Sequence, residues 1–264
     1  MTVPPSTNSA KERLKHGDLV LCMALRQART PDIAMIAAAA GFDAFFVDME
    51  HSPVSLETTS ALCVAALATG VTPLVRVPGH DGPFLSRVLD GGAQGIIVPH
   101  VNSADEARSV VAAARFPPQG RRSVMGSGPG VAYRALPLRE INDLLNARTL
   151  LIAMIETPEA VADADAIAAV DGIDMLLVGS NDLCTEMGIP GELRHPRLRA
   201  AYASIAAACA SQGKVLGVGG IRGDTELQRD LVGLGARFVV AGSDVQYLMN
   251  AARADVQALR AIAP

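Results

Sequence analysis

The chain has 264 residues, half of them hydrophobic, which is enough to bury the core of one large domain. Its 23 basic and 27 acidic residues give a net charge of −4, and no run of Lys or Arg is longer than a pair. This composition excludes an electrostatic surface for nucleic acid or an anionic membrane, so a small molecule is the expected partner.

Residues 1–17 read as a polar N-terminal tail without the apolar segment of a secretory signal, and no later apolar stretch is long enough to span a bilayer. The four cysteines are isolated, with neither a C-x-x-C pair nor a disulfide framework. We therefore expect a cytoplasmic protein with its cysteines in the core.

Eight short apolar runs follow one another along the chain and predict strands at 19–25, 42–48, 72–77, 95–99, 150–155, 172–179, 214–219 and 237–242. The segments between them have apolar residues at helical spacing and often end in glycine. Strands that are apolar on both faces are typical of a parallel sheet covered by helices. We predict a single (β/α)8 TIM barrel with parallel strands over residues 1–264, and a doubly wound open sheet is the alternative.

The segment at residues 114–149 is too long for an ordinary loop between a strand and a helix, and it is rich in Gly, Pro and Arg. This segment is a candidate lid or subunit contact.

Polar residues stand where the predicted strands end, which is where TIM barrels carry their active sites. The candidates come from at least five strands: Asp48, Glu50 and His51, Arg76, Pro99 and His100, Glu156, Ser180, Asn181 and Asp182, and Ser243 and Asp244.

Glu156 and Asp182 end adjacent strands and offer hard oxygen ligands for Mg²⁺ or Mn²⁺. Both also precede or begin helix-like segments, so they could instead serve only as helix caps. The pair alone does not decide between these roles.

Arg76 ends an apolar strand, where a guanidinium needs either a neighbouring acid or an anionic substrate. His51 is a candidate base because Asp48 could orient its ring. A helix predicted to begin after strand 6 would offer the backbone N–H groups of Asn181 and Asp182 to a substrate carboxylate, beside Ser180.

Two other chemistries find no support in the sequence. The three lysines, Lys11, Lys15 and Lys214, lie in the tail or at the start of strand 7, which leaves none for a Schiff base. The remaining histidines are scattered and do not suggest a three-histidine zinc site.

Seven ordered motifs carry a resemblance over residues 18–250: "FFVDMEHSP", "LVRVP", "LDGGAQGIIVPHVNSADEARSVVAAARFPPQGRRSV", "IETPEAV", "GIDMLLVGSNDL", "MGIPGELRHP" and "GARFVVAGSD". Together they resemble the metal-dependent class II pyruvate aldolases of the HpcH/HpaI (4-hydroxy-2-oxoheptanedioate aldolase) family.

The resemblance implies an aldehyde-lyase that cleaves a 4-hydroxy-2-oxo acid to pyruvate and an aldehyde, or condenses them, through the enolate of pyruvate. It implies Glu156 and Asp182 as ligands of Mg²⁺ or Mn²⁺, with Co²⁺ as a further option. Arg76 would act at the keto or enolate oxygen, and His51 with Asp48 in proton transfer. It also implies a homohexamer, a trimer of dimers, with C-terminal helices swapped between subunits.

Two residues depart from the family pattern: Met154 replaces a glutamine two residues before Glu156, and Ser180 replaces the proline of a Gly-Pro-x-Asp motif. Two alternatives stay open. The glycines ending strands 7 and 8 suit a lyase or isomerase of a phosphorylated substrate, although tight turns between strand and helix are the preferred explanation. Met154 and Ser180 leave room for a pseudoenzyme that only binds a keto acid.

Overall fold

Eight parallel strands close into a barrel in which each strand pairs with the next and β8 pairs with β1. The computed structural model describes residues 7–262. The strands are β1 (Val20–Leu25), β2 (Ala44–Asp48), β3 (Thr72–Arg76), β4 (Gly95–Val98), β5 (Leu150–Ile155), β6 (Met175–Gly179), β7 (Val215–Gly219) and β8 (Ala236–Ser243). The predicted (β/α)8 TIM barrel is confirmed, and the alternative of an open sheet is wrong.

The helices cover the outside of the barrel and its N-terminal end. They are α1 (Ser9–Lys15), α2 (Ile33–Ala39), α3 (Leu56–Ala66), α4 (Gly82–Asp90), α5 (Ala104–Ala114), α6 (Leu138–Arg148), α7 (Pro158–Ala162), α8 (Ala164–Ala168), α9 (Ser180–Glu186), α10 (Pro196–Ser211), α11 (Thr225–Gly233) and α12 (Asp244–Arg260). Within residues 7–262, none of them combines the length and hydropathy needed to cross a membrane.

The strands are apolar on both faces because each face packs into a different core. In β2, Phe45 and Val47 belong to the outer core between sheet and helices, whereas Ala44 and Phe46 belong to the core inside the barrel. Side chains alternate along a strand, so residues two apart share a face. The next inward position of β2 is Asp48.

The predicted polar tail is partly structured and closes the N-terminal end of the barrel. Asn8 is 2% exposed, and its side-chain amide donates to the carbonyls of Gln94 (3.0 Å) and Arg148 (2.8 Å). Helix α1 buries Ala10 and Leu14 in the inner core. The first six residues of the predicted tail lie outside the described residues.

The segment 114–149 packs at the N-terminal end of the barrel, so the expectation of a lid is wrong. The buried Arg115 donates to the carbonyls of Thr149 and Gly172 and to the carboxylate of Asp174, which all precede strands. The hydrogen bonds of Arg115 therefore hold the segment at the N-terminal end of the barrel, opposite to the carboxyl ends of the strands.

Helix α12 has no buried residue although it is 17 residues long. Four of its large apolar side chains are exposed, and three of them, Leu248, Val256 and Leu259, recur at spacings that place them on one face. The four cysteines, in contrast, are all free and buried, as the sequence predicts.

Candidate active site

The inward-facing residue at the end of each of several strands builds one layer of polar side chains at the C-terminal rim of the barrel. Asp48 follows inward Phe46, Arg76 follows inward Leu74, and Glu156 follows inward Met154. All three are at most 6% exposed. The alternation that fills the barrel with apolar side chains thus ends in charged ones.

Arg76 and Asp48 form a bidentate ion pair across neighbouring strands, where they are direct register partners. Arg76 donates through Nε to Asp48 Oδ1 (3.1 Å) and through Nη2 to Oδ2 (2.7 Å). Arg26, just after β1, donates through Nε to the same Oδ2 (2.9 Å). Burial raises the pKa of the Asp48 carboxyl, but the hydrogen bonds and charge of Arg76 outweigh burial and hold it below its ordinary value. Asp48 is therefore a fixed anion.

The structure corrects the expected contact between Asp48 and the ring of His51. Asp48 Oδ1 accepts instead from the backbone N–H of His51 (3.1 Å). The imidazole Nε2 lies 3.7 Å from Glu50 Oε2, and the ring is about half exposed on the cavity wall. Asp48 therefore orients the loop that carries His51, and Glu50 is the acid that faces the ring.

Glu156 is 1% exposed at the end of β5, and its carboxylate accepts the backbone N–H of His100 (3.0 Å). A Cβ at position 179 would collide with this carboxylate, so only glycine leaves it room. Burial, with smaller contributions from the negative charges of Asp182 and Glu50, raises the pKa of Glu156 to about 7. The backbone N–H and the ring of His100 offset this rise only in part.

The residues present suit a divalent cation. Asp182, half-buried at the start of α9, lines the cavity and is close enough to Glu156 to raise its pKa. Glu50 Oε2 is buried without a hydrogen-bond donor, although Arg76 Nη1 is 3.0 Å away. A cation beside these carboxylates would relieve their mutual repulsion. Among residues 7–262 no three His, Cys, Asp or Glu side chains surround one point, so two carboxylates would leave positions for water and substrate.

Ser180 and Asn181 have different environments at the end of β6. The Ser180 hydroxyl is fully buried, donates to the carbonyl of Gly219 (2.5 Å) and is 2.6 Å from the hydroxyl of Tyr202. The hydroxyl is therefore engaged with β7 and α10, while Ser180 also lines the cavity, and its role in substrate binding stays a prediction. Asn181 is exposed on the cavity wall beside Gly220.

A cavity of about 260 Å³ at the barrel mouth is lined by His51, Arg76, Ser180, Asn181 and Asp182, and its volume suits a small metabolite. Its floor is apolar and includes Met154 and Leu177, so the departure at Met154 adds apolar surface where the family pattern has an amide. Sequence reasoning missed Arg26 and Arg222, which also line the cavity. Arg26 directly follows β1, and the strand-end rule used for the other candidates could have found it.

The HpcH/HpaI aldolase/citrate lyase family matches residues 22–251. The chain is 42% identical over 244 residues to 4-hydroxy-4-methyl-2-oxoglutarate aldolase tasA of Hapsidospora irregularis, covering 91% of this chain and 90% of that protein. It is 35% identical to 4-hydroxy-2-oxo-heptane-1,7-dioate aldolase of Salmonella typhimurium strain LT2, covering 94% and 92%.

A crystal structure of an HpcH/HpaI aldolase from Desulfitobacterium hafniense DCB-2 superposes with a TM-score of 0.90 at 33% identity, covering 95% of this chain and 96% of that one. The region that the family matches, residues 22–251, contains β2 to β8, most of β1 and every residue of the polar layer. The chain belongs to the HpcH/HpaI aldolase/citrate lyase family.

Proposed function

We propose that the protein is a divalent-metal-dependent aldolase that cleaves a 4-hydroxy-2-oxo acid to pyruvate and an aldehyde, and that also catalyses the reverse condensation. The observation that carries this proposal is the closeness of two carboxylates, Glu156 and Asp182, to the buried guanidinium of Arg76. Asp182 and Arg76 line one cavity, and Glu156 is buried behind Gly179, which lines it as well. Breaking the C3–C4 bond of such an acid leaves negative charge on the keto oxygen, and cationic groups are needed there.

Glu156 and Asp182 would hold the cation, with Mg²⁺ or Mn²⁺ the expected ion and Co²⁺ a further option. When bound, such an ion supplies Lewis-acid stabilisation of charge on the substrate's keto oxygen. Glu156 must be ionised to bind it, and its carboxylate is already held in place by the N–H of His100.

Arg76 would stabilise the enolate oxygen directly. Of its five N–H groups, two donate to Asp48 and one faces Glu50, which leaves two for the substrate on the cavity wall. Its ion pair with Asp48 fixes the guanidinium before the substrate arrives, so little reorganisation accompanies the reaction.

His51 would move the proton of the C4 hydroxyl. In cleavage its ring accepts that proton, and in condensation it returns the proton to the new alkoxide oxygen. Glu50 Oε2 faces the ring at 3.7 Å from Nε2. The substrate carboxylate would be received by the backbone N–H groups of Asn181 and Asp182 at the start of α9, which also line the cavity.

The proposed assembly is a homohexamer in which α12 packs against another subunit. The apolar stripe of α12, formed by Leu248, Val256 and Leu259, has no partner in the part of the chain that the structure describes. An apolar face of this length is typical of a subunit contact.

Metal-dependent cleavage is the direct test of the function. With Mg²⁺ or Mn²⁺, the wild type should release pyruvate from a 4-hydroxy-2-oxo acid such as 4-hydroxy-2-oxovalerate, and a chelator should stop it. Glu156→Gln should abolish this turnover because the amide cannot supply a negative ligand. The matched control is Glu159→Gln, an exposed acid on α7. Wild-type turnover without metal, or full activity of Glu156→Gln, would refute the assignment.

The role of His51 can be isolated by comparing two reactions. His51→Ala should slow aldol cleavage by about 10²–10⁴-fold, the range for general acid–base groups. Oxaloacetate decarboxylation should suffer less, since loss of CO₂ yields the same enolate without a C4 hydroxyl proton. Turnover measured on both substrates, with the exposed His16→Ala as control, checks this. Equal losses in both reactions would assign His51 to pocket shape instead.

Light scattering after size exclusion tests the assembly. The wild type should have the mass of a hexamer, and Leu259→Glu should reduce it because a charge would be buried in the contact. Gln257→Glu, which lies on the other side of α12, should leave the mass unchanged. A monomeric wild type would rule out the proposed contact.

A further inference from the structure

Arg222 follows β7 in the Gly-rich loop "GGIRGD" and lines the cavity opposite Arg76. Because β3 and β7 are four strands apart in an eight-stranded barrel, the two guanidinium groups stand on opposite sides of the mouth. The proposed chemistry uses Arg76 and gives Arg222 no task.

Three residues from β8 and α12 hold the guanidinium of Arg222 in place. Its Cζ lies 5.1 Å from the centre of the Tyr247 ring, in a cation–π contact. The side-chain oxygen of Asn250, oriented toward the guanidinium, accepts from Nη2 (2.8 Å) and Nη1 (3.1 Å). At Gly242 a Cβ would come within 2.8 Å of Arg222 Cδ, so the absence of a side chain there makes room for the arginine.

All of these supports are neutral. Arg26 and Arg76, the other two arginines of the cavity, both pair with Asp48. By contrast, Arg222 forms no ion pair with any Asp or Glu in residues 7–262. After its two bonds to Asn250, three of its five N–H groups remain for another acceptor. A half-buried, positioned and unneutralised guanidinium on a cavity wall is a binding site for an anion.

We propose that Arg222 selects the substrate by binding a carboxylate on its acceptor half, the part released as the aldehyde or as a second keto acid. This inference rests on the proposed aldolase function, which places the pyruvate half near Arg76 and Asp182. A planar carboxylate matches the fork of one guanidinium, and the single positive charge at Arg222 balances its single negative charge.

Substrate pairs that differ only at that group test the proposal. In one pair 4-hydroxy-2-oxoglutarate is compared with 4-hydroxy-2-oxovalerate, and in a longer pair 4-hydroxy-2-oxoheptanedioate with 4-hydroxy-2-oxoheptanoate; in each, a methyl group replaces the carboxylate. The metal-loaded wild type should prefer the diacid of at least one pair in kcat/KM. In Arg222→Gln that preference should fall by about 10- to 100-fold, the equivalent of one charged hydrogen-bonded contact, mainly through a higher KM for the diacid.

The controls separate this inference from the proposed function. Arg222→Lys keeps the charge without the fork and should retain part of the preference, whereas Arg229→Gln, an exposed arginine on α11, should retain all of it. If the wild type cleaves the compounds but Arg222→Gln and Arg222→Lys both keep the full preference, the role of Arg222 is refuted and the aldolase stands. If the wild type shows no preference for either diacid, the role is likewise refuted. If the wild type cleaves none of the compounds, the proposed function falls, and this inference with it.

Discussion

The ion pair between Arg76 and Asp48 organises the rest of the site. Burying either charge alone would be costly. As register partners on β2 and β3, however, the two side chains form two direct hydrogen bonds with each other. Asp48 then also holds Arg26 and the backbone of His51. The buried carboxylate of Asp48 therefore positions the guanidinium of Arg76 on the cavity wall and also holds the loops that carry Arg26 and His51.

Elsewhere in the cavity the charges are not balanced in this way. On one side, the negative charges of Asp182 and Glu50 add to the effect of burial in raising the pKa of Glu156, and Glu50 Oε2 is buried without a hydrogen-bond donor. On the other side, Arg222 is held only by neutral groups. In the proposed mechanism, a metal ion would balance the carboxylates, and a carboxylate of the substrate would balance Arg222.

The sequence predicts the barrel well because each strand is apolar on both faces, and the strand-end rule then places Asp48, Arg76 and Glu156 together. It does not predict which partner a side chain takes when that partner is distant in the chain. The hydroxyl of Ser180, for example, lies 2.6 Å from the hydroxyl of Tyr202 on α10. The sequence does not single out Arg222 either, because its loop has the composition of a glycine-rich turn. The residues that hold its guanidinium, Gly242, Tyr247 and Asn250, lie on β8 and α12.

The affinity for Mn²⁺ as a function of pH tests most directly whether Glu156 and Asp182 hold the ion. The ion binds the ionised carboxylate, and the pKa of Glu156 in the free protein is about 7. Calorimetric titration should therefore show the affinity rising by roughly tenfold per pH unit below pH ~7 and levelling off by pH ~8. In Glu156→Gln, binding should be weak and should lack this dependence. An affinity that does not change with pH in the wild type and is retained in Glu156→Gln would contradict a metal centre at these carboxylates.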